Sequence, residues 1–152
     1  MLKTENIKLA IIGAGRWGKN HVKTANGLLN REQITVCDFS EKAQEVVAGI
    51  NPEIKFTTDF DSVINNKEIN AVIIATPAET HFEIAKQALE AGKNVLVEKP
   101  ITLVPSEAEE LLNLSLSLNL KLMVGHVLLF HPAVLRIKDG IENGGIGNLQ
   151  YL

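Results

Sequence analysis

Short apolar runs alternate with longer amphipathic stretches along this chain. Six runs have the length and composition of strands, at residues 7–12, 33–37, 54–56, 71–75, 94–97 and 121–124. Most are apolar at consecutive positions rather than at alternate ones, as in strands that helices cover on both faces. The pattern therefore predicts parallel strands in the interior of an α/β protein.

The stretches between these runs carry helix start and stop signals. Thr80 and Ser106 each precede a glutamate by three residues, which is the spacing of a capping box. Gly92 is expected as the residue that ends the first of these helices. Pro132 is expected at the first position of a third helix. Strands and helices thus alternate, which predicts a doubly wound, mostly parallel sheet with right-handed crossovers.

Composition narrows the class of protein. The 152 residues are 45% hydrophobic and 22% charged, which suits one globular domain with an apolar core. The net charge is −3 and the basic residues are scattered, so we expect no nucleic-acid partner. One cysteine allows no internal disulfide and fits the cytoplasm. No apolar run approaches the roughly 20 residues that span a bilayer, so no membrane association is expected.

A glycine-rich loop follows the first strand and opens the first helix. Gly13, Gly15 and Gly18 form G-x-G-x-x-G. In this context they permit a tight turn, close approach of a pyrophosphate and close helix–strand packing. The free N–H groups of the helix N-terminus favour phosphate there. Arg16 and Trp17 lie within the loop and are predicted to contact the cofactor, with Trp17 covering the glycines. The alternative is that the glycines only make a tight turn.

Asp38 ends the second strand, twenty residues after the last glycine of the loop. An acidic side chain there accepts both ribose hydroxyls of an adenosine and repels a 2′-phosphate, so NAD is favoured over NADP. Lys42, one helical turn further on, weakens that preference. The structural alternative for Asp38 is a helix N-cap beside Ser40. Phe39 is assigned either to the adenine or to the core.

The same loop differs by one residue from the phosphate-binding motif of nucleoside triphosphatases. That motif needs a Ser or Thr hydroxyl for magnesium where this chain has Asn20. Such enzymes also place a metal-binding aspartate where Thr76 follows the fourth strand. These two departures exclude the triphosphatase interpretation.

Further candidates follow the fourth strand, where the strand order is expected to reverse. Ligands of open α/β sheets bind in the crevice at this point. Thr76 and Pro77 are therefore predicted to contact the cofactor. His81 is predicted to face the same crevice, and a solvated surface histidine is the alternative.

Charged and imidazole side chains follow the fifth and sixth strands. Lys99 can donate to a substrate hydroxyl or carbonyl, and Glu98 is assigned to the cofactor side; a solvated loop is the alternative. His126 and His131 are substrate-side candidates, although His131 is also suited to cap a helix. Their separation of five residues does not match the i, i+4 spacing of a zinc pair, so no metal site is predicted.

Several of these segments together resemble one family. They are the glycine loop at 13–18, Asp38, the Ala75-Thr-Pro segment with His81, and residues 91–100, of which Glu-Lys-Pro is the most specific part. They are similar to the N-terminal domain of the Gfo/Idh/MocA family, named for glucose-fructose oxidoreductase and inositol dehydrogenase. The resemblance covers nearly the whole chain. It implies a Rossmann fold and an NAD(P)-dependent oxidoreductase acting on sugars, inositols or nucleotide sugars.

The resemblance also implies a role for Lys99 and a second domain. Lys99 would contact the substrate hydroxyl and the nicotinamide ribose as the catalytic-site lysine. The family's further catalytic aspartate and histidine lie in a C-terminal α/β domain that also mediates oligomerisation. We expect residues 1–145 to form the dinucleotide-binding domain and 146–152 to begin that second domain, which is absent from this chain. The full-length protein is expected to be a homo-oligomer.

Two functions remain open at this point. The first is the cofactor-binding half of an NAD-dependent dehydrogenase, which passes a hydride between a secondary alcohol of a sugar or nucleotide sugar and nicotinamide. Alone, this chain would then turn over little or no substrate. Residues 125–132 resemble branches acting on UDP-linked amino sugars or uronates. The second is a non-catalytic nucleotide-binding or redox-sensing module, which needs only the glycine loop and Asp38.

Overall fold

The computed structural model describes residues 6–145 and Gly147, so most of the segment predicted to begin a second domain lies outside the described residues. The strands are β1 (Leu9–Ile12), β2 (Ile34–Cys37), β3 (Lys55–Thr57), β4 (Ala71–Ile74), β5 (Asn94–Val97) and β6 (Leu122–Val124). They form one parallel sheet in the order β3-β2-β1-β4-β5-β6. The order reverses between β1 and β4. The predicted doubly wound sheet is confirmed.

Helices cover both faces of the sheet. They are α1 (Gly18–Leu28), α2 (Glu41–Ile50), α3 (Phe60–Ile64), α4 (His81–Glu90), α5 (Pro105–Ser117) and α6 (Pro132–Glu142). Ile11 and Val36 pack with the α1 and α2 residues Val22 and Val47 in one core. Ile12, Ile74, Val97, Leu89 and Leu111 belong to the other core, which includes α4 and α5. Burial on both sides explains why the strands are apolar at consecutive positions.

The boundary predictions at Gly92 and Pro132 are confirmed, and Thr80 is the N-cap residue of α4, but neither predicted capping box forms. Gly92 follows α4 with a φ of 77°, and Pro132 is the first residue of α6. Thr80 makes no side-chain cap, because it lies in a 3-10 turn where its hydroxyl donates to the carbonyl oxygen of Pro77 at 2.7 Å. Ser106 lies inside α5, which begins at Pro105. Proline is suited to this first position because its φ is already helical and its missing N–H is not needed there.

The ends of five neighbouring strands are level. Strand pairing places the following residues in one row: Cys37, Ile12, Ile74, Val97 and Val124. The ladder continues one step further, because the N–H groups of Gly13, Ala75, Glu98 and Gly125 each donate to a carbonyl of that row at 2.8–2.9 Å. The connections that follow therefore start from a common edge and line one crevice.

Candidate active site

Three cavities lie along the carboxyl edge of the sheet. The first has a volume of about 450 Å³ and is lined by residues that include Gly15, Asp38, Phe39, Thr80 and Ile84. The second, of about 290 Å³, is lined by residues that include Gly15, Arg16, Trp17, Thr76, Pro77, His81, Glu98 and Lys99. The third, of about 410 Å³, is lined by Lys99, Gly125, His126, Val127, Leu128 and Leu129. Gly15 lines both the first and the second cavity, and Lys99 lines both the second and the third, so the three cavities adjoin one another.

The three loop glycines serve different needs. Gly13 has a φ of +89°, and a Cβ there would lie 2.8 Å from the Ala75 carbonyl. A Cβ on Gly18 would collide with the carbonyl oxygen of Gly13. Both glycines are thus required by the turn itself. A Cβ on Gly15 would meet no atom within 4 Å, so the turn does not require a glycine there and the space beside it is open to a ligand.

The start of α1 is suited to an anion. Trp17 is the N-cap residue and makes no side-chain cap hydrogen bond, and the first turn holds no acidic residue. The positive end of the helix dipole therefore faces the glycine loop without a carboxylate to neutralise it. Trp17 is 47% exposed and lines the second cavity with Arg16.

Asp38 joins the glycine loop to the start of α2. Its Oδ2 accepts from the Ala14 N–H at 2.7 Å, and its Oδ1 accepts from the Ser40 N–H at 2.8 Å. Ser40, not Asp38, is the N-cap residue of α2. A carboxylate offers about four acceptor sites, so this one keeps capacity for two hydroxyl donors. Phe39 is 80% exposed and borders the first cavity, so it is not a core residue.

Lys99 and Glu98 point in different directions. Lys99 is exposed and lines both the second and the third cavity. The Glu98 side chain is 8% exposed, and its Oε1 lies 2.8 Å from Nε2 of His21 on α1. A Cβ on Gly125 would lie 3.2 Å from the Glu98 carboxylate, so glycine at this position leaves room for the buried acid. The Lys99–Pro100 peptide is cis.

His81 is buried rather than solvated, with 1% of its surface exposed. Its Nδ1 lies 2.7 Å from the carbonyl oxygen of Pro100, and its Nε2 lies 2.9 Å from the carbonyl oxygen of Thr76. The surface alternative is therefore wrong. His81 contributes to the wall of the second cavity, but both ring nitrogens face backbone oxygens.

The two substrate-side candidates differ in position. His126 is exposed and lines the third cavity together with Lys99. His131 is exposed, and its Nδ1 accepts from the Ala133 N–H at 3.2 Å as the cap of α6. The structure therefore brings His126 to Lys99 and gives His131 a capping role. Within the described residues, no group of three or more His, Cys, Asp or Glu side chains is arranged to hold a metal ion.

Two polar contacts were not predicted from the sequence, one made by the partly buried His21 and one by the buried Lys93. His21 lies three residues after buried Gly18 and four before buried Ala25, and this spacing, which puts it on the same face of α1 as those two residues, is the signal that could have found it. Lys93 is 1% exposed, and its Nζ donates to the carbonyl oxygens of Asn66 and Ile69 at 2.8 and 2.9 Å. Burial lowers the pKa of the Lys93 ammonium.

None of the helices in the described part of the chain is long and apolar enough to cross a bilayer.

Comparison with protein families matches residues 7–126 to GFO_IDH_MocA, described as an oxidoreductase family with an NAD-binding Rossmann fold. The chain is 31% identical over 147 residues to inositol 2-dehydrogenase of Rhizobium meliloti (strain 1021), covering 96% of this chain and 44% of that protein. It is 30% identical over 147 residues to UDP-N-acetylglucosamine 3-dehydrogenase of Acidithiobacillus ferrooxidans, covering 97% and 44%.

Solved structures agree with these matches. UDP-N-acetylglucosamine 3-dehydrogenase GnnA from A. ferrooxidans superposes with a TM-score of 0.77 at 32% identity, covering 87% of this chain and 42% of that one. GenD2 from gentamicin A biosynthesis, solved in complex with NAD, superposes with a TM-score of 0.81 at 27% identity, covering 91% and 40%. This chain thus spans less than half the length of these relatives.

Proposed function

Because this chain belongs to the Gfo/Idh/MocA oxidoreductase family and contains its NAD-binding Rossmann domain, we propose that it is the cofactor-binding part of an NAD-dependent dehydrogenase of sugars or nucleotide sugars. One observation carries the proposal. Lys99 lines the cavity beside the glycine loop and also the cavity beside His126. A nicotinamide in the second cavity and an alcohol in the third cavity would therefore meet at the Lys99 ammonium group.

The residues present fit a dinucleotide. The first cavity takes the adenosine, where Asp38 accepts the ribose hydroxyls and Phe39 offers an exposed ring. The open space at Gly15 and the start of α1 take the pyrophosphate. The space for the nicotinamide half is bordered by Thr76, Pro77, Arg16 and Trp17. When bound, NAD supplies the hydride acceptor, which no side chain can replace.

Lys99 stabilises the negative charge that develops on the substrate oxygen. Oxidation of a secondary alcohol removes a hydride from carbon and a proton from oxygen, and negative charge grows on that oxygen as the proton leaves. An ammonium within hydrogen-bond distance stabilises this charge. The base that takes the proton comes from a second domain, together with the family's remaining catalytic side chains. His126, which lines the third cavity together with Lys99, is assigned a second contact to the substrate.

The substrate class rests on the relatives and on residues 125–132. Inositol 2-dehydrogenase and UDP-N-acetylglucosamine 3-dehydrogenase both match nearly the full chain. The His-Val-Leu-Leu-Phe-His segment beside Lys99 favours the nucleotide-sugar branch. A non-catalytic nucleotide-binding module would need no exposed lysine at the junction of two cavities.

Titration with NADH and NADPH tests the proposal. Trp17 is the chain's one tryptophan and borders the nicotinamide space, so its emission should fall by energy transfer to a bound reduced nicotinamide. We expect saturable NADH binding and much weaker NADPH binding. Equal binding of the two would contradict the role of Asp38, and binding of neither would contradict the cofactor assignment.

A further inference from the structure

Lys99 sits between two buried side-chain contacts that come from different parts of the chain. Glu98 precedes it and is held by His21 of α1. Pro100 follows it and is held by His81 of α4. We call these four residues with Thr76 the histidine clamp. Lys99 itself is exposed, so the surroundings of its backbone, rather than packing of its own side chain, fix where its ammonium can reach.

The first arm of the clamp starts at the phosphate-binding helix. His21 lies in the first turn of α1, just after the glycine loop. Its Nε2 is 2.8 Å from Oε1 of Glu98, while Oε2 of Glu98 accepts from the Lys99 N–H at 3.3 Å. One carboxylate therefore connects α1 to the backbone of Lys99. Because the Glu98 side chain is 8% exposed, water competes little for this pair.

The second arm starts at the connection that lines the nicotinamide space. His81 faces the carbonyl oxygen of Thr76 with Nε2 and that of Pro100 with Nδ1. An imidazole donates through one nitrogen when neutral and through both when protonated. The neutral ring therefore donates to one of these two carbonyl oxygens and only contacts the other, whereas the protonated ring donates to both. In both forms the buried ring lies between the connection after β4 and the residue after Lys99.

We propose that His21 and His81 are positioning residues that make the location of the Lys99 ammonium depend on the two segments that hold the cofactor. Movement of α1 or of Thr76 on cofactor binding would then be transmitted to Lys99 from both sides. The clamp would bring the ammonium against the nicotinamide half only when the dinucleotide is seated. The inference rests on the proposed function, since it assumes that the cofactor occupies the crevice.

A stability role alone is the competing explanation, and Lys93 provides the matched control. Lys93 also bridges two backbone carbonyls from a buried position, but it immediately precedes β5, at the end opposite Lys99. Lys93→Met removes those hydrogen bonds without touching the clamp. His81→Phe and His21→Phe each remove one arm with a ring of similar size.

The experiment measures acylation of Lys99 by acetic anhydride, by mass spectrometry of the digested chain, with exposed Lys55 and Lys67, which lie away from the carboxyl edge of the sheet, as internal standards. It is run without NADH and with NADH at about ten times the measured Kd, where about a tenth of the sites stay free. In the wild-type chain and in Lys93→Met, we expect NADH to lower Lys99 acylation by about tenfold, in line with that free fraction. In each clamp variant, we expect less than about twofold protection at the same saturation.

The outcomes separate the two proposals. If NADH fails to bind the wild-type chain, or binds without protecting Lys99, the proposed function is contradicted and the clamp with it. If NADH protects Lys99 equally in the wild-type chain and in both Phe variants, the proposed function stands and the clamp is overturned. The clamp would also be overturned if NADH failed to protect Lys99 in Lys93→Met. Loss of protection would then result from lower stability of the fold rather than from loss of the clamp. Where one Phe variant does not fold, the other arm decides, and His81→Gln, which keeps a donor, should recover part of the protection.

Discussion

Asp38 gives a prediction at the scale of one side chain, which concerns the choice between NADH and NADPH. In Asp38→Asn, the negative charge that repels a 2′-phosphate is gone, so we expect the preference for NADH over NADPH to fall by about tenfold, or about 1.4 kcal/mol. Glu41→Gln is the control, because it removes the same charge from the exposed first turn of α2. Titration of Trp17 emission measures both. Equal effects of the two substitutions would show that Asp38 acts only through net charge.

Cys37 is a second single-residue case. Burial, with the charges of Asp38 and Asp59 adding to it, raises the pKa of the thiol from its ordinary 9.0 to about 11. The unfolded chain therefore loses this proton before the folded chain does. Since the unfolded state binds fewer protons in that window, this group's contribution makes stability fall as pH rises from about 9 to about 11.

Comparison with Cys37→Ala isolates that contribution. We expect the urea midpoint of the wild-type chain to fall more steeply than that of the variant between about pH 8.5 and about 10.5, where the unfolded thiol loses its proton and the folded thiol keeps most of it. Below pH 9 the native thiol should react only slowly with a disulfide reagent. Parallel pH profiles of the two proteins would contradict the assignment.

Residues identified by their spacing along the chain were easier to predict than residues whose role depends on a contact with a distant part of the chain. The glycine loop and Asp38 follow from spacing along the chain. The His21–Glu98 contact joins residues 77 positions apart, so it exists only once β1, β4 and β5 are in register. Lys93 and His81 look solvated in sequence because nothing local shows the carbonyl groups that surround them.

The strand-to-helix turn before α1 gives a prediction at the scale of an element. Gly18→Ala puts a methyl group against the Gly13 carbonyl, so we expect a loss of stability of roughly 1–3 kcal/mol or more. Gly15→Ala meets no protein atom within 4 Å, so its melting temperature should stay close to that of the wild-type chain. Its NADH affinity should fall by at least about tenfold, because the methyl group would occupy the space proposed for the pyrophosphate.

Thermal unfolding and NADH titration of the two variants provide the check, each variant serving as the control for the other. If Gly15→Ala kept wild-type affinity, the loop would be a turn and nothing more.

Strand positions followed from apolar runs, whereas the two predicted capping boxes did not form. All six strands lie within their predicted runs or overlap them by two or more residues, because continuous burial leaves a strong pattern. The two capping boxes failed because a nearby proline or 3-10 turn used the same residues differently. Whether such a residue caps a helix or takes another role depends on backbone geometry. The spacing of residue types along the chain does not reveal that geometry.

The exposed turn Val127–Phe130 matters for the whole molecule. Its four apolar side chains are 52–67% exposed, and contiguous apolar surface of this kind favours association. We expect concentration-dependent self-association in sedimentation velocity, reduced in the double variant Leu128→Ser with Phe130→Ser. Leu28→Ser, which changes a leucine that is 63% exposed at the end of a different element, α1, should leave the self-association unchanged. Association unaffected by the double variant would place the contact elsewhere.

The level row of strand ends also fixes the distance between residues that follow different strands. Asp38 follows β2 and Lys99 follows β5, with β1 and β4 between them. At one interstrand distance per step, the two residues are three steps apart across the sheet, or about 14 Å. A ligand must be that long to contact both Asp38 and Lys99, so a mononucleotide can contact one of them but not both. Length itself is thus a criterion of recognition, set by hydrogen-bonded backbone that no side-chain substitution can lengthen or shorten.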